Sequence, residues 1–204
     1  MRKITRLSLV AGASIAVIGG AMAAVPSSAA TGGGECELSG TANFHPGPGT
    51  NPSGTFAYDF SGSLTNCGDS TSGPSGFGKT TGEISAGQTY TDPTGGKHAE
   101  PTATGTGSCA TGTTAGIAFV HWSDGTDTVI KYTTTSAAAG VALQGSVVPS
   151  YQFADGYTVA STKYAGANAD GVLAFEVTDP TQCTTANGVT SAGIDGITGL
   201  GTTS

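Results

Sequence analysis

Behind residue 30 the apolar side chains of this chain recur at every second position, and no stretch shows the three-, four- and seven-residue spacing of an amphipathic helix. In Phe56-Ala57-Tyr58-Asp59-Phe60-Ser61-Gly62-Ser63-Leu64 the aromatic rings and Leu64 share one face, and Asp59 and Ser63 take the other. That is the pattern of a half-buried strand. Leu173, Phe175 and Val177 form a second such face opposite Glu176; Val141, Leu143 and Val147 form a third, with Gly145 marking a bulge. Thr and Gly dominate residues 76–108, so strands there are weakly specified, and Asp179-Pro180 stops the strand ahead of Cys183. About eight short strands with turn signals between them predict an all-β antiparallel domain. Two architectures stay open: a β-sandwich of immunoglobulin-like or jelly-roll-like topology, and a flattened barrel. A parallel α/β fold would need crossover helices that the pattern does not supply.

The most definite local signal is Asp124-Gly125 between two strand-like runs, a pair suited to a two-residue type I′ turn. Such a turn sets Ser123 against Thr126, Phe119 against Ile130 and Ile117 against Tyr132. Ile117, Phe119, Ile130 and Tyr132 then form the core face, with His121 and Thr128 at its turn end. Ala118, Val120, Trp122, Asp127, Val129 and Lys131 form a partly wet face.

The chain begins with Arg2, Lys3 and Arg6, continues with an apolar run interrupted by Gly12, Gly19 and Gly20, and ends it in small residues. These are the three parts of a secretory leader spanning residues 1–30, with Ser28-Ala29-Ala30 a better cleavage site than Ala21-Met22-Ala23. The mature domain is residues 31–204, secreted and extracellular or cell-wall associated. Its four cysteines, Cys36, Cys67, Cys109 and Cys183, are even in number and widely spread, as two disulfides require. Of three connectivities, Cys36–Cys67 with Cys109–Cys183 is favoured, because the start of one strand lies beside the end of its antiparallel neighbour. Without the leader, four lysines face 14 acidic residues, a net charge of −10. Such a surface repels nucleic acid and anionic membranes, and the mature chain is not expected to insert into a bilayer.

Cys36-Glu37-Leu38-Ser39-Gly40, the aromatic strand from Phe56 to Cys67, Gly105-Thr106-Gly107-Ser108-Cys109, Trp122-Ser123-Asp124-Gly125 and Gly188-Val189-Thr190-Ser191-Ala192-Gly193 after Cys183 carry a likeness. In them the chain resembles a group of small secreted four-cysteine β-rich proteins of actinobacteria, a group without assigned function. The resemblance implies paired cysteines and a β-rich fold. It implies no substrate, cofactor or catalytic residue.

Chemistry-bearing residues are sparse. His121, on a strand, is a possible general base, but no Gly-x-Ser-x-Gly elbow stands beside it, and a strand-end histidine held by backbone groups or Thr128 explains it better. His45 and His98 read as loop residues, and three scattered histidines lack metal-ligand spacing. Neither a metal nor another cofactor is implied. Asp124 and Asp127 are too few for a calcium loop. Glu176 with Asp59 would be the pair of a glycosidase-like hydrolase, although both alternate outward like solvated carboxylates. Trp122, next to Asp127 on the partly wet face, and Tyr151 and Tyr157 in a second aromatic segment with Phe153 and Tyr164, are the candidate binding residues. As one exposed patch they would stack on a glycan or anchor a protein. Three functions follow in order: a non-enzymatic extracellular module contacting cell-surface glycan or protein, a secreted carboxylate hydrolase, and a structural or surface-coat protein.

Overall fold

The computed structural model describes residues 31–69, 80–137 and 140–202; the expected leader, residues 1–30, lies outside them, as do residues 76–79 of the weakly specified stretch. The described residues form thirteen strands: β1 (Thr31–His45), β2 (Thr55–Asp69), β3 (Gly82–Ala86), β4 (Thr89–Thr91), β5 (Lys97–Ala99), β6 (Ala103–Gly107), β7 (Thr111–Trp122), β8 (Asp127–Ala137), β9 (Gly140–Val148), β10 (Ser150–Gln152), β11 (Thr158–Ala160), β12 (Asn168–Glu176) and β13 (Ser191–Thr202). Among the described residues the only helix is a single 3-10 turn, Pro180–Thr184, which Asp179 caps by accepting from the Thr181 amide.

Alternating strands need one dry face, and here the sheet obtains it by closing on itself. Around the ring, β1, β13, β12, β9, β8, β7, β3 and β2 are paired antiparallel, and β2 returns to β1. The result is an eight-stranded closed barrel, the second of the two architectures left open by the sequence. β6 is an extra strand that completes a short one. β3 pairs with Phe60–Leu64 of β2 and with the Trp122 end of β7, while β6 pairs with Thr55–Tyr58 of β2 and the Thr111 end of β7. The two therefore share one position in the wall. Phe56, Tyr58, Phe60, Leu64, Val141, Val147 and Leu173 are buried on the inside, as the alternation requires, while Ser61 and Ser63 are exposed outside. Apolar inside and polar outside is the reverse of a barrel that faces lipid.

Two departures from expectation come from turns and glycine. β7 and β8 pair with His121 opposite Asp127, Phe119 opposite Val129 and Ala118 opposite Ile130, one residue off the expected register. The loop has three residues, not two: Gly125 N donates to Trp122 O and Trp122 N to Thr126 O, both at 2.9 Å, with Gly125 at φ +80°. A turn followed by a left-handed glycine is the usual three-residue hairpin. Each strand keeps its own alternation, but the shift regroups the faces. Ala118, Val120 and Trp122 join Thr128, Ile130 and Tyr132 inside; Phe119 and Val129 lie outside with His121 and Asp127. Gly145 makes no bulge, since β8 and β9 pair without a break from Val129–Val148 to Ala137–Gly140.

The outer face of β7 and β8 would be too apolar for water, and two hairpins cover it. β4–β5 and β10–β11 bring Tyr90, Phe153 and Val159 onto Phe119 and Val129 as a second core. Both use the loop geometry of the β7–β8 turn: Gly95 N donates to Asp92 O and Asp92 N to Gly96 O, and Gly156 N donates to Phe153 O and Phe153 N to Tyr157 O. The disulfides are Cys36–Cys67, between β1 and β2, and Cys109–Cys183, between the β6–β7 turn and the 3-10 turn, the favoured connectivity.

Glycines facing inward are seats for aromatic rings. A Cβ at Gly105 would lie 2.3 Å from ring atoms of Phe56, and one at Gly40 or Gly62 would collide with the Phe60 ring. Gly105→Ala should therefore force Phe56 off its site and lower stability by about 1–3 kcal/mol. Urea unfolding followed by tyrosine and tryptophan fluorescence measures this, and an unchanged midpoint would contradict the packing described.

Candidate functional site

The interior of the barrel is not filled. A cavity of about 140 Å³ is lined by Leu38, Phe44, Phe56, Ala118, Ile130, Val141, Phe175 and Leu200 among others, and no charged residue among the described ones lines it. At the β7–β8 turn end the barrel is stoppered by Trp122, 1% exposed. Its indole Nε1 donates to Thr128 Oγ1 at 2.8 Å, Thr128 Oγ1 donates to Lys163 O, and the Tyr164 ring meets the indole edge-on. Lys163 Nζ lies 4.8 Å over the indole and 2.8 Å from Asp124 Oδ2. At the opposite end the loop of residues 46–54 is tied over the barrel: Cys109 N donates to Gly49 O and Val189 N to Pro48 O, both at 2.9 Å.

Polar groups enter the cavity wall only as hydroxyls and small side chains, and four hydroxyls are strung together. The Tyr132 and Tyr58 hydroxyls are hydrogen-bonded, Tyr58 Oη lies 3.1 Å from Thr114 Oγ1, and Thr114 Oγ1 lies 2.7 Å from Thr134 Oγ1. Tyr132 owes its place to Gly116, where a Cβ would come within 2.7 Å of its hydroxyl. Burial pushes both phenols above the usual tyrosine range, so they remain neutral. The arrangement offers an apolar container with one polar seam. Its polar side chains among the described residues are hydroxyls.

Of the residues singled out from the sequence, Tyr151 and Tyr157 meet in the second core, and Trp122 does not join them. Trp122 faces inward and offers no ring to solvent, which corrects its expected place on a partly wet face. Asp127 stands on the outer face, its Oδ1 2.9 Å from His121 Nδ1. Tyr151 and Tyr157 pack into the second core, Tyr151 edge-on to Phe119 and Tyr157 stacked on His98. Asp124 accepts from Lys163 and from the Thr126 amide and hydroxyl, which brings its carboxyl down to about 2. Asp59 accepts from Asn43, Gln88 and His45. Glu176 and Asp59 are on β12 and β2, three steps apart across β13 and β1. At roughly 4.8 Å per step the gap is about 14 Å along the wall, beyond the roughly 5–9.5 Å over which paired carboxylates cleave a glycoside.

Sequence reasoning missed His98, which lies mid-strand on β5 and is buried. Its Nδ1 is 2.7 Å from Asp155 Oδ2 and its Nε2 is 3.2 Å from Asp92 Oδ2, and its ring is stacked 4.0 Å from Tyr157 and near Tyr90. Only an imidazolium donates from both nitrogens, so one charge bolts hairpin β4–β5 to hairpin β10–β11. The hydrogen bond to Asp155, then that to Asp92, raises the His98 pKa; these bonds to His98, with those from Thr94 and Tyr157, hold both aspartates below the usual range. A readable signal was present: Asp92-Pro93-Thr94-Gly95 and Asp155-Gly156 are turns of the same kind as Asp124-Gly125. Close by, burial, then the charge of Asp127, pushes the pKa of Tyr90 up.

The raised imidazole stabilises the fold fully below the unfolded histidine value, about 6.5, and ceases to as pH rises through its folded value. The lowered aspartates stabilise above about 3.9 and cease to as pH falls through theirs. The stability difference between the native protein and His98→Gln should therefore be greatest from about pH 4 to 6.5 and shrink on either side. Denaturant midpoints measured across pH test this, and a pH-independent difference would refute the bolt.

No protein-family model, no curated protein and no solved structure matches this chain.

Proposed function

We propose that this chain is an exported, non-enzymatic binding module that carries a small apolar molecule inside its barrel. The observation that carries the reading is the uncharged cavity of about 140 Å³ enclosed by eight strands. Evolved cores are packed to the density of organic crystals, so a void of this size inside a closed wall is the feature to explain. Two disulfides suit an oxidising setting, and the basic, apolar, small-residue order of residues 1–30 suits export. The resemblance to small secreted four-cysteine proteins of actinobacteria belongs to the same reading. An exposed aromatic platform for glycan no longer supports it, because Trp122 is inside.

A structural or coat role has one observation in its favour. Val172 and Ile197 are 59% and 41% exposed and directly paired across β12 and β13, and association through them would show in size-exclusion runs.

The carrier reading is tested by titrating the oxidised protein with toluene while following methyl resonances. Saturable shifts of Leu38, Ile130 and Val141 are expected, with a higher melting temperature; 100-fold excess over Kd is worth about 2.7 kcal/mol. Ala118→Leu, which narrows the cavity, should abolish the shifts while circular dichroism stays β-rich. Shifts confined to outward residues would defeat the reading.

A further inference from the structure

Resting on the carrier reading, we infer that the occupant is a neutral, single-ring-sized compound bearing one hydrogen-bond-accepting oxygen, which it places against the hydroxyl string Tyr132–Tyr58–Thr114–Thr134. Three observations lead there.

The first is size. The cavity measures about 140 Å³, and an apolar cavity of about 150 Å³ accepts benzene. The occupant is therefore a ring of six atoms with a short substituent, not a sterol or a long acyl chain.

The second is charge. Among the described residues no Asp, Glu, Lys, Arg or His lines the cavity. An ionised ligand would give up its hydration with nothing opposite it, at a cost of several kcal/mol or more. Carboxylates and amines are excluded while their neutral relatives are admitted.

The third is a count of protons. Four hydroxyls in a row have four protons and three links between them. If Tyr132 donates to Tyr58, Tyr58 to Thr114 and Thr114 to Thr134, the proton of Thr134 is left over. Tyr58 is the donor to Thr114, so Tyr132 must donate to Tyr58, and if Thr134 instead donates to Thr114 the proton of Thr114 is the one left over. Both threonines line the cavity. In either case one donor remains for an acceptor brought by the ligand, and a carbonyl oxygen supplies an acceptor without requiring a proton of its own. Burial keeps the phenols protonated, which preserves the string as a donor. A purely hydrocarbon occupant would leave that donor unmatched in an apolar space.

The experiment is calorimetric titration of the oxidised protein with three probes of similar size: acetophenone, isopropylbenzene and benzoate at neutral pH. The native protein should bind the first two and not benzoate. Thr134→Val, which removes the donating end of the string without changing its shape, should weaken acetophenone by about two- to tenfold, the worth of one net hydrogen bond, while Tyr132→Phe, at the end whose proton is already spent on Tyr58, should leave it unchanged. Isopropylbenzene should bind both variants as well as before or better. Thr134 is only partly buried, so its variant stays informative if the tyrosine variant folds poorly. Equal losses for both neutral probes, or benzoate binding on a par with acetophenone, would overturn the inference and leave the carrier reading standing. Binding of none of the three would remove the carrier reading and this one with it.

Discussion

Strand β1 is hydrogen-bonded along both edges, to β13 on one side and β2 on the other, with Leu38 opposite both Gly196 and Leu64. That double pairing closes the sheet, and most other features follow from it. A closed sheet has no free edge to cover, and it has an inside, so each strand needs only one apolar face. In an eight-stranded ring the inside is just wide enough for side chains to fill or for one small ligand to occupy. Which of these happens depends on how the side chains lie.

Here the rings lie against the wall. Phe56 rests over Gly105, Phe60 over Gly40 and Gly62, and Tyr132 over Gly116. A ring laid along a strand reaches less far toward the axis than one standing upright, so the glycine content of the chain and its unfilled interior have one steric cause. The same seats fix the hydroxyl string, because Tyr132 meets Tyr58 only when its ring is folded down over Gly116. Outside the wall the arrangement reverses. Around Phe119 the rings stack closely, Phe153 at 5.1 Å and Tyr90 at 5.7 Å between centroids, and the second core is dense and closed by a charged bolt at His98.

The in-or-out assignment of most strand residues was legible because alternation is a local property: Phe56, Tyr58, Phe60 and Leu64 needed no knowledge of their partners. The disulfides were legible for a related reason, since adjacent antiparallel strands bring a start beside an end. Closure was not, because whether β2 returns to β1 is decided by pairings between distant strands. The β7–β8 register failed on loop chemistry. Asp-Gly serves a two-residue turn with both residues left-handed and a three-residue turn with only the glycine so, and the hairpin loops at residues 92–96, 122–126 and 153–157 each take the second form. That one-residue difference is what moved Trp122 from the wet face to the interior, and with it the expected binding patch. His98 escaped because its strand is three residues long and its partner Asp155 lies 57 residues away.

A container inside a small protein is a standing liability, and its size can be set against what holds the wall. A cavity of about 140 Å³ forgoes about 3 kcal/mol at roughly 24 cal/mol per Å³. The disulfides, closing loops of 31 and 74 residues, contribute about 3.5–4.5 kcal/mol each by restricting the unfolded chain. One bridge is thus enough to offset the void without adding any side chain to it. The bridges also sit where they interfere least with an occupant: Cys36–Cys67 joins neighbouring strands in the Trp122-stoppered half, and Cys109–Cys183 ties the loops across the other end. Stability taken from covalent closure, and from a second core on the outside of the wall, leaves the interior free to be shaped by a ligand in place of packing.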